Sequence, residues 1–231
     1  MRKRQENEKL AFQTYPKTNS KRKGYIQMKI TSITQQKKRE KRYNIFIDGE
    51  FAFGIDGVDM RYYKLKEGEE LSEERYAFLM DELAYVKARD EAMRYIGYKA
   101  RTEKEVRDKL YGEYSPEIID RVAEMLKSYK MIDDAEYARL YVSDCLKLKG
   151  WGPRRILEEL GRRGIRRELA EPCLDNTGEQ MSEKAEALLE KRIKTTSIEP
   201  KEYKKHMDFL LRRGFDHSTA KEALKKYTAD Q

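Results

Sequence analysis

An internal period of 50 residues constrains this chain more than any other feature. Val106 and Leu110, Ile156 and Leu160, and His206 and Leu210 follow one another at that interval. The second and third pairs share a punctuation, Leu160-Gly161-Arg162-Arg163-Gly164-Ile165 and Leu210-Leu211-Arg212-Arg213-Gly214-Phe215. Upstream, Ala92/Tyr95/Ile96, Val142/Cys145/Leu146 and Leu189/Arg192/Ile193 stand at matching distances, and Val122/Met125/Leu126, Cys173/Leu174 and Ala223/Leu224 close each unit. The apolar spacing inside each unit is helical, so a unit reads as three short helices. One such unit buries little, and neighbours should stack into an elongated array.

Capping chemistry supports this reading from residue 72 to the end. Ser72-Glu73-Glu74 is a helix start with acids at the positive end of the dipole. Thr102-Glu103-Lys104-Glu105 is a capping box, and Asp133-Asp134-Ala135-Glu136 has the same form. Pro116, Pro153 and Pro200 fit first helical positions, and Gly97, Gly150, Gly164 and Gly214 fall where helices should stop. Residues 29–54 differ: Tyr43–Ile47 and Phe51–Phe53 flank Asp48-Gly49, a hairpin turn signal, and the basic run 37–42 joins them to an Ile30–Ile33 strand. The predicted fold is mainly α, tandem three-helix repeats in an elongated array with a small amino-terminal β-hairpin or meander. Its parts are a disordered basic extension (1–27) upstream of a start at Met28 and a β-hairpin region (28–71). A first repeat with a preceding helix (72–133), a basic second repeat (134–178) and a third (179–231) complete it.

Charge is the second constraint. The net charge of +8 is unevenly placed: residues 1–42 hold 14 Lys/Arg against 3 Asp/Glu, 43–146 hold 16 against 24, and 147–167 hold 8 against 2. An acidic body with two basic patches suits a polyanion, an acidic protein surface, or both. No stretch approaches the roughly 18 to 20 apolar residues that cross a bilayer. The first residues lack the apolar core of a signal peptide. Cys145 and Cys173 form neither a CxxC pair nor a disulfide framework. A cytoplasmic monomer without membrane contact, metal or cofactor is expected.

Enzyme motifs are absent: no phosphate loop, no GxGxxG after a strand, no HExxH, no GxSxG. Asp133-Asp134 reads as a helix cap rather than a metal pair, His206 as a partly buried structural side chain, and both cysteines as core thiols. The second repeat breaks the local rule. Gly152-Pro153-Arg154-Arg155 and Gly164-Ile165-Arg166-Arg167 put four arginines at two helix starts. Each costs about 0.3–1 kcal/mol unless an anion compensates, and free helix-start amides with guanidinium forks suit such an anion. Helical pairing of Glu158 with Arg162 and Glu159 with Arg163 is the competing explanation; it leaves Arg166, Arg167, Lys147 and Lys149 uncovered. The candidate surface is therefore Lys147, Lys149, Trp151, Arg154, Arg155, Arg162, Arg163, Arg166 and Arg167, with Trp151 either an exposed anchor or a packed inter-repeat residue. A secondary patch comprises Lys37, Lys38, Arg39, Lys41 and Arg42.

Over residues 28–226 the layout resembles the RecX family, regulators of the RecA recombinase. The likeness rests on Tyr43–Phe51, on Arg101–Leu110, on Met131–Ala138, on Lys149–Ile156, and on Glu158-Glu159-Leu160 through Gly164-Ile165. It implies tandem three-helix repeats, no catalysis, and binding to the RecA–single-stranded DNA filament. Filament growth, ATPase and strand exchange would be limited, and with them recombination, DNA repair and the SOS response. The family has no motif-defined catalytic residues to transfer. The competing function is direct DNA binding, with the three-helix units acting as helix-turn-helix modules, and a metal-dependent nuclease is a third class.

Overall fold

A computed structural model describes residues 28–37, 39–175, 177–195 and 197–228. The expected basic extension 1–27 and Lys38 lie outside the described residues. The chain divides into two compact units, one ending at Lys87 and one starting at Ala88.

The first unit is built on a four-stranded antiparallel sheet in the order β3-β2-β1-β4. Its strands are β1 (Met28–Gln36), β2 (Arg39–Ile47), β3 (Glu50–Asp56) and β4 (Glu70–Leu71). Asp48 (φ 51°) and Gly49 (φ 89°) both take positive φ, the backbone a two-residue hairpin turn requires. Two features exceed the meander read from the sequence: the fourth strand, and a short helix α1 (Gly57–Tyr62). The basic run is also not all connector, because Arg39 to Arg42 lie on β2. Ile30, Ile45, Ile47, Phe53 and Ile55 point to one face and form a core with Leu71, Leu79 and Leu83. The last two belong to helix α2 (Glu73–Gly97), whose amino end Ser72 caps by accepting from the Arg75 amide at 3.2 Å.

The second unit is helical. The end of α2, α3 (Glu103–Leu110) and α4 (Pro116–Ser128) make the first repeat. In the second, α5 (Asp134–Asp144) runs into a π-helical turn, Cys145–Lys149, followed by α6 (Pro153–Arg162) and α7 (Arg167–Ala170). The third comprises α8 (Gly178–Glu190), α9 (Pro200–Arg212) and α10 (His217–Lys225). The 50-residue pairs are where the period puts them: Val106, Leu110, Ile156, Leu160 and Leu210 are fully buried, and His206 nearly so. Thr102 makes the complete capping box. Asp133 caps α5 by accepting from the Glu136 amide at 2.9 Å, and Asp216 caps α10 by accepting from Thr219 at 2.7 Å. The third helix of the second repeat is a single turn continued as 3-10 helix through Pro172, which cannot supply an amide to an α-helical ladder.

The repeats are joined the same way twice. At one joint the Arg163 carbonyl accepts from the Thr102 hydroxyl at 2.7 Å, and Asp134 accepts from the Glu103 amide at 2.9 Å. Fifty residues on, the Gly152 amide donates to the Arg213 carbonyl at 2.8 Å and the Arg154 amide to the Gly214 carbonyl at 3.0 Å. In each case the Arg-Gly corner of the following repeat seats on the start of the preceding repeat's middle helix. Gly164 and Gly214 have φ of 84° and 89°, and a Cβ there would strike Lys104 and Arg155. Glycine is required at both corners for handedness and for room.

Candidate anion-binding surface of the second repeat

The surface starts at the end of α5. The π-helical turn carries Cys145 into the core and leaves Lys147, Leu148 and Lys149 exposed, Leu148 at 80%. Gly150 then turns the chain through φ 59°, packed 3.3 Å from Leu188 at the Cβ position. Trp151 follows, half-buried against the core shared by the second and third repeats. The Lys149 ammonium lies 4.5 Å and the Arg155 guanidinium 4.4 Å from its ring centroid. Lys149 also sits 4.6 Å from the centroid of Tyr141, and Arg163 5.2 Å from the same ring. Tyr141 stacks on Tyr137 at 6.1 Å. Arg155, Trp151, Lys149, Tyr141 and Arg163 thus form one row in which aromatic rings separate the cations and attract each of them. Burial pushes the Tyr137 phenol up. Trp151 is the packed residue of the two alternatives, with cations at its ring.

Two expectations about local pairing are corrected. Glu158 takes Arg154 at 3.3 Å rather than Arg162, and Glu159 takes Arg162 at 2.9 Å rather than Arg163. Arg163 caps the end of α6, where the i,i+4 spacing no longer holds, and its guanidinium reaches Glu105 of the first repeat at 3.3 Å. Arg167 pairs with Glu171 at 2.6 Å. At the start of α6 the amides of Gly152 and Arg154 are not free either, since they donate to the third repeat. The rule-breaking arginines at α6 are therefore tolerated because backbone carbonyls stand where a capping acid would. Among the described residues, Lys147, Lys149, Arg155 and Arg166 have no carboxylate partner.

Arg154 and Arg155 line a cleft of about 370 Å³ between α6 and α9, with Glu158, Asp208, Leu211, Gly214 and Arg212. Arg212 is missing from the sequence-derived set, although it stands 50 residues after Arg162 and the period could have found it. Arg166 and Arg167 do not line this cleft. The secondary patch lies in the other compact unit: Lys37, Arg39 and Lys41 are exposed, and Arg42 is half-buried with its Nη2 3.5 Å from the Gly54 carbonyl. The Asp133-Asp134 pair acts as cap and joint, and no group of three His, Cys, Asp or Glu among the described residues could hold a metal. No described helix is long and apolar enough to cross a membrane.

Fold and surface together define a tandem three-helix-repeat protein with an amino-terminal sheet and a row of cations on its middle repeat. The chain belongs to the RecX family. The regulatory protein RecX N-terminal domain matches residues 28–72, and the first, second and third RecX three-helix domains match 88–126, 133–174 and 179–224. Proteins named regulatory protein RecX are similar along most of the chain. That of Clostridioides difficile (strain 630) is 32% identical over 200 residues, 85% of this chain and 94% of the relative. That of Bacillus licheniformis is 34% identical, covering 85% and 76%. Among solved structures, a crystal structure of regulatory protein RecX superposes with a TM-score of 0.68 at 30% identity, over 85% of this chain and 98% of that one. RecX from Lactobacillus salivarius gives 0.58 at 26% identity, over 62% and 96%.

Proposed function

We propose that this protein binds the RecA–single-stranded DNA filament as a non-catalytic regulator, limiting its growth, ATPase and strand exchange and so modulating recombination and DNA repair. Membership of a family whose relatives are named regulatory proteins supports the regulatory role. The observation that carries the site is the set Lys147, Lys149, Arg155 and Arg166, exposed or half-exposed cations without carboxylate partners among the described residues, two of them held at Trp151. Arginine and lysine pre-placed on aromatic rings lose little freedom on meeting an anion. Arg163 belongs to the inter-repeat joint in this reading, and Arg154, Arg162 and Arg167 exchange their local carboxylates for the partner's anions. A helix-turn-helix mode is disfavoured in the second repeat, because its third helix α7 is a single turn continued as 3-10 helix, too short to lie along a major groove.

The test is the single-stranded-DNA-dependent ATPase of the cognate RecA, titrated with this protein at fixed moderate salt, with binding to bare DNA recorded in parallel. Inhibition is expected well below one molecule per RecA, at concentrations where bare DNA is hardly occupied. The Lys149→Ala/Arg155→Ala/Arg166→Ala variant should need on the order of tenfold more protein, the equivalent of about 1.4 kcal/mol. Inhibition that tracks saturation of bare DNA would replace this reading with competition for DNA.

A further inference from the structure

Among the described residues, the sheet of the first unit buries one face in its isoleucine core, and the residues of its other face are half-buried or exposed. Its register sends Phe46 opposite both Ser32 and Phe51, and Asn44 opposite both Thr34 and Gly54, away from the isoleucine core. On this outer face Phe46 and Phe51 meet edge-to-face at 5.9 Å, and Phe51 is 51% exposed. Beside them Gln36 Nε2 donates to Asn44 Oδ1 at 2.7 Å. A Cβ on Gly54 would lie 3.1 Å from the Gln36 amide and 3.3 Å from Arg42 Nε, so glycine lets both side chains lie flat on the sheet. Solvent-facing strands need neither a phenylalanine pair with one exposed ring nor a glycine clearing under an amide and a guanidinium.

We propose that this open face binds single-stranded nucleic acid, with bases against Phe51 and Phe46 and phosphates toward Lys37, Arg39 and Lys41. The charge runs along the strands. Residues 37–42 hold five Lys/Arg and one acid, Glu40, whereas Asp48 and Glu50 flank the opposite turn. Lys37, Arg39 and Lys41 are exposed and have no carboxylate partner among the described residues. A polyanion is therefore held at the β1–β2 end, and the uncharged faces of its bases reach the aromatic end. Arg42 and Phe46 are about 13 Å apart along β2, a span suited to the two or three bases that aromatic-bearing sheets hold. Between them Gln36, Asn44 and Arg42 carry amide and guanidinium donors suited to base carbonyls and ring nitrogens, with Gln36 and Arg42 each also donating within the sheet. A duplex hides these base faces in its stack, so the partner is a single strand. This site is independent of the second-repeat cations.

The test uses the full chain and two labelled strands of equal length, oligothymidine and its abasic counterpart, followed by fluorescence anisotropy. Oligothymidine should bind more tightly than the abasic strand. Phe51→Ala, a half-exposed position whose loss spares the core, should weaken oligothymidine binding about tenfold and remove the preference. Lys37→Ala/Arg39→Ala/Lys41→Ala should weaken both strands alike and flatten the salt dependence. The Lys149→Ala/Arg155→Ala/Arg166→Ala variant should keep the base preference whatever its effect on RecA. Equal binding of the two strands by the unmodified protein, or no effect of Phe51→Ala, overturns the proposal and leaves phosphate or acidic-protein contact at the basic tip.

Discussion

Single atoms decide the behaviour of several residues here. Gly214 has φ 89° and no room for a Cβ beside Arg155, whereas Gly161 lies within α6 with nothing within 4 Å. Gly214→Ala should therefore cost on the order of 2–4 kcal/mol through strain and overlap, and Gly161→Ala should stabilise by about 0.5–1 kcal/mol. Urea midpoints of the two variants moving in opposite directions would show this. His206 fills the slot that Val106 and Ile156 fill in the other repeats, and its Nδ1 has no hydrogen-bond partner. Burial, and then the Arg192 charge, lower its pKa from the usual 6.5; Glu202 opposes and Lys205 adds to the shift. A lowered folded pKa means the unfolded chain binds the proton first. This contribution to stability is full above about pH 6.5 and falls as the pH drops toward the folded value. Denaturation of His206→Leu against the unmodified chain from pH 7.5 to 5.5 should show a shallower loss in the variant; parallel curves would exclude a role for His206.

At the scale of elements, helix starts explain both the folding signals and the apparent violations. Thr102 is buried, completes a capping box and donates its hydroxyl to Arg163, so one side chain serves its own helix and the next repeat. Thr102→Ala should lose about 1–2 kcal/mol, and Thr102→Ser, which keeps the hydroxyl, should recover most of it in the same thermal or urea assay. Caps are legible because they are local: Ser72, Thr102 and Asp133 each sit three residues from the amide they serve. The start of α6 was misread for the converse reason. Its partners, Arg213 and Gly214, are about 60 residues away in sequence, and no local pattern announces a carbonyl arriving from another repeat. The π-helical turn at Cys145–Lys149 was likewise invisible, although it is what places Lys149 at Trp151.

At the scale of the molecule, one hydrophobic cluster runs from Ala138 and Val142 through Ile156, Leu160 and Leu189 to Leu210, Phe215 and Leu224. The second and third repeats therefore share a core. Their central amides, and those of Gly152 and Arg154 at the joint, should exchange with deuterium at one common free energy, as a single cooperative unit. Distinct plateaus for residues 138–165 and 185–224 in native-state exchange would show that the repeats open separately. Local chemistry in the sequence determined the repeat, its helix boundaries, the hairpin turn and the buried slots, because period, caps and positive-φ glycines act over a few residues or recur at fixed spacing. Only the tertiary structure decided which cations remain unpaired, since Arg163 finds Glu105 and the α6 amides find Arg213 and Gly214 across a repeat boundary. It alone decided which face of the amino-terminal strands is buried, because the core on that face is completed by Leu79 and Leu83 of α2, which are distant in sequence.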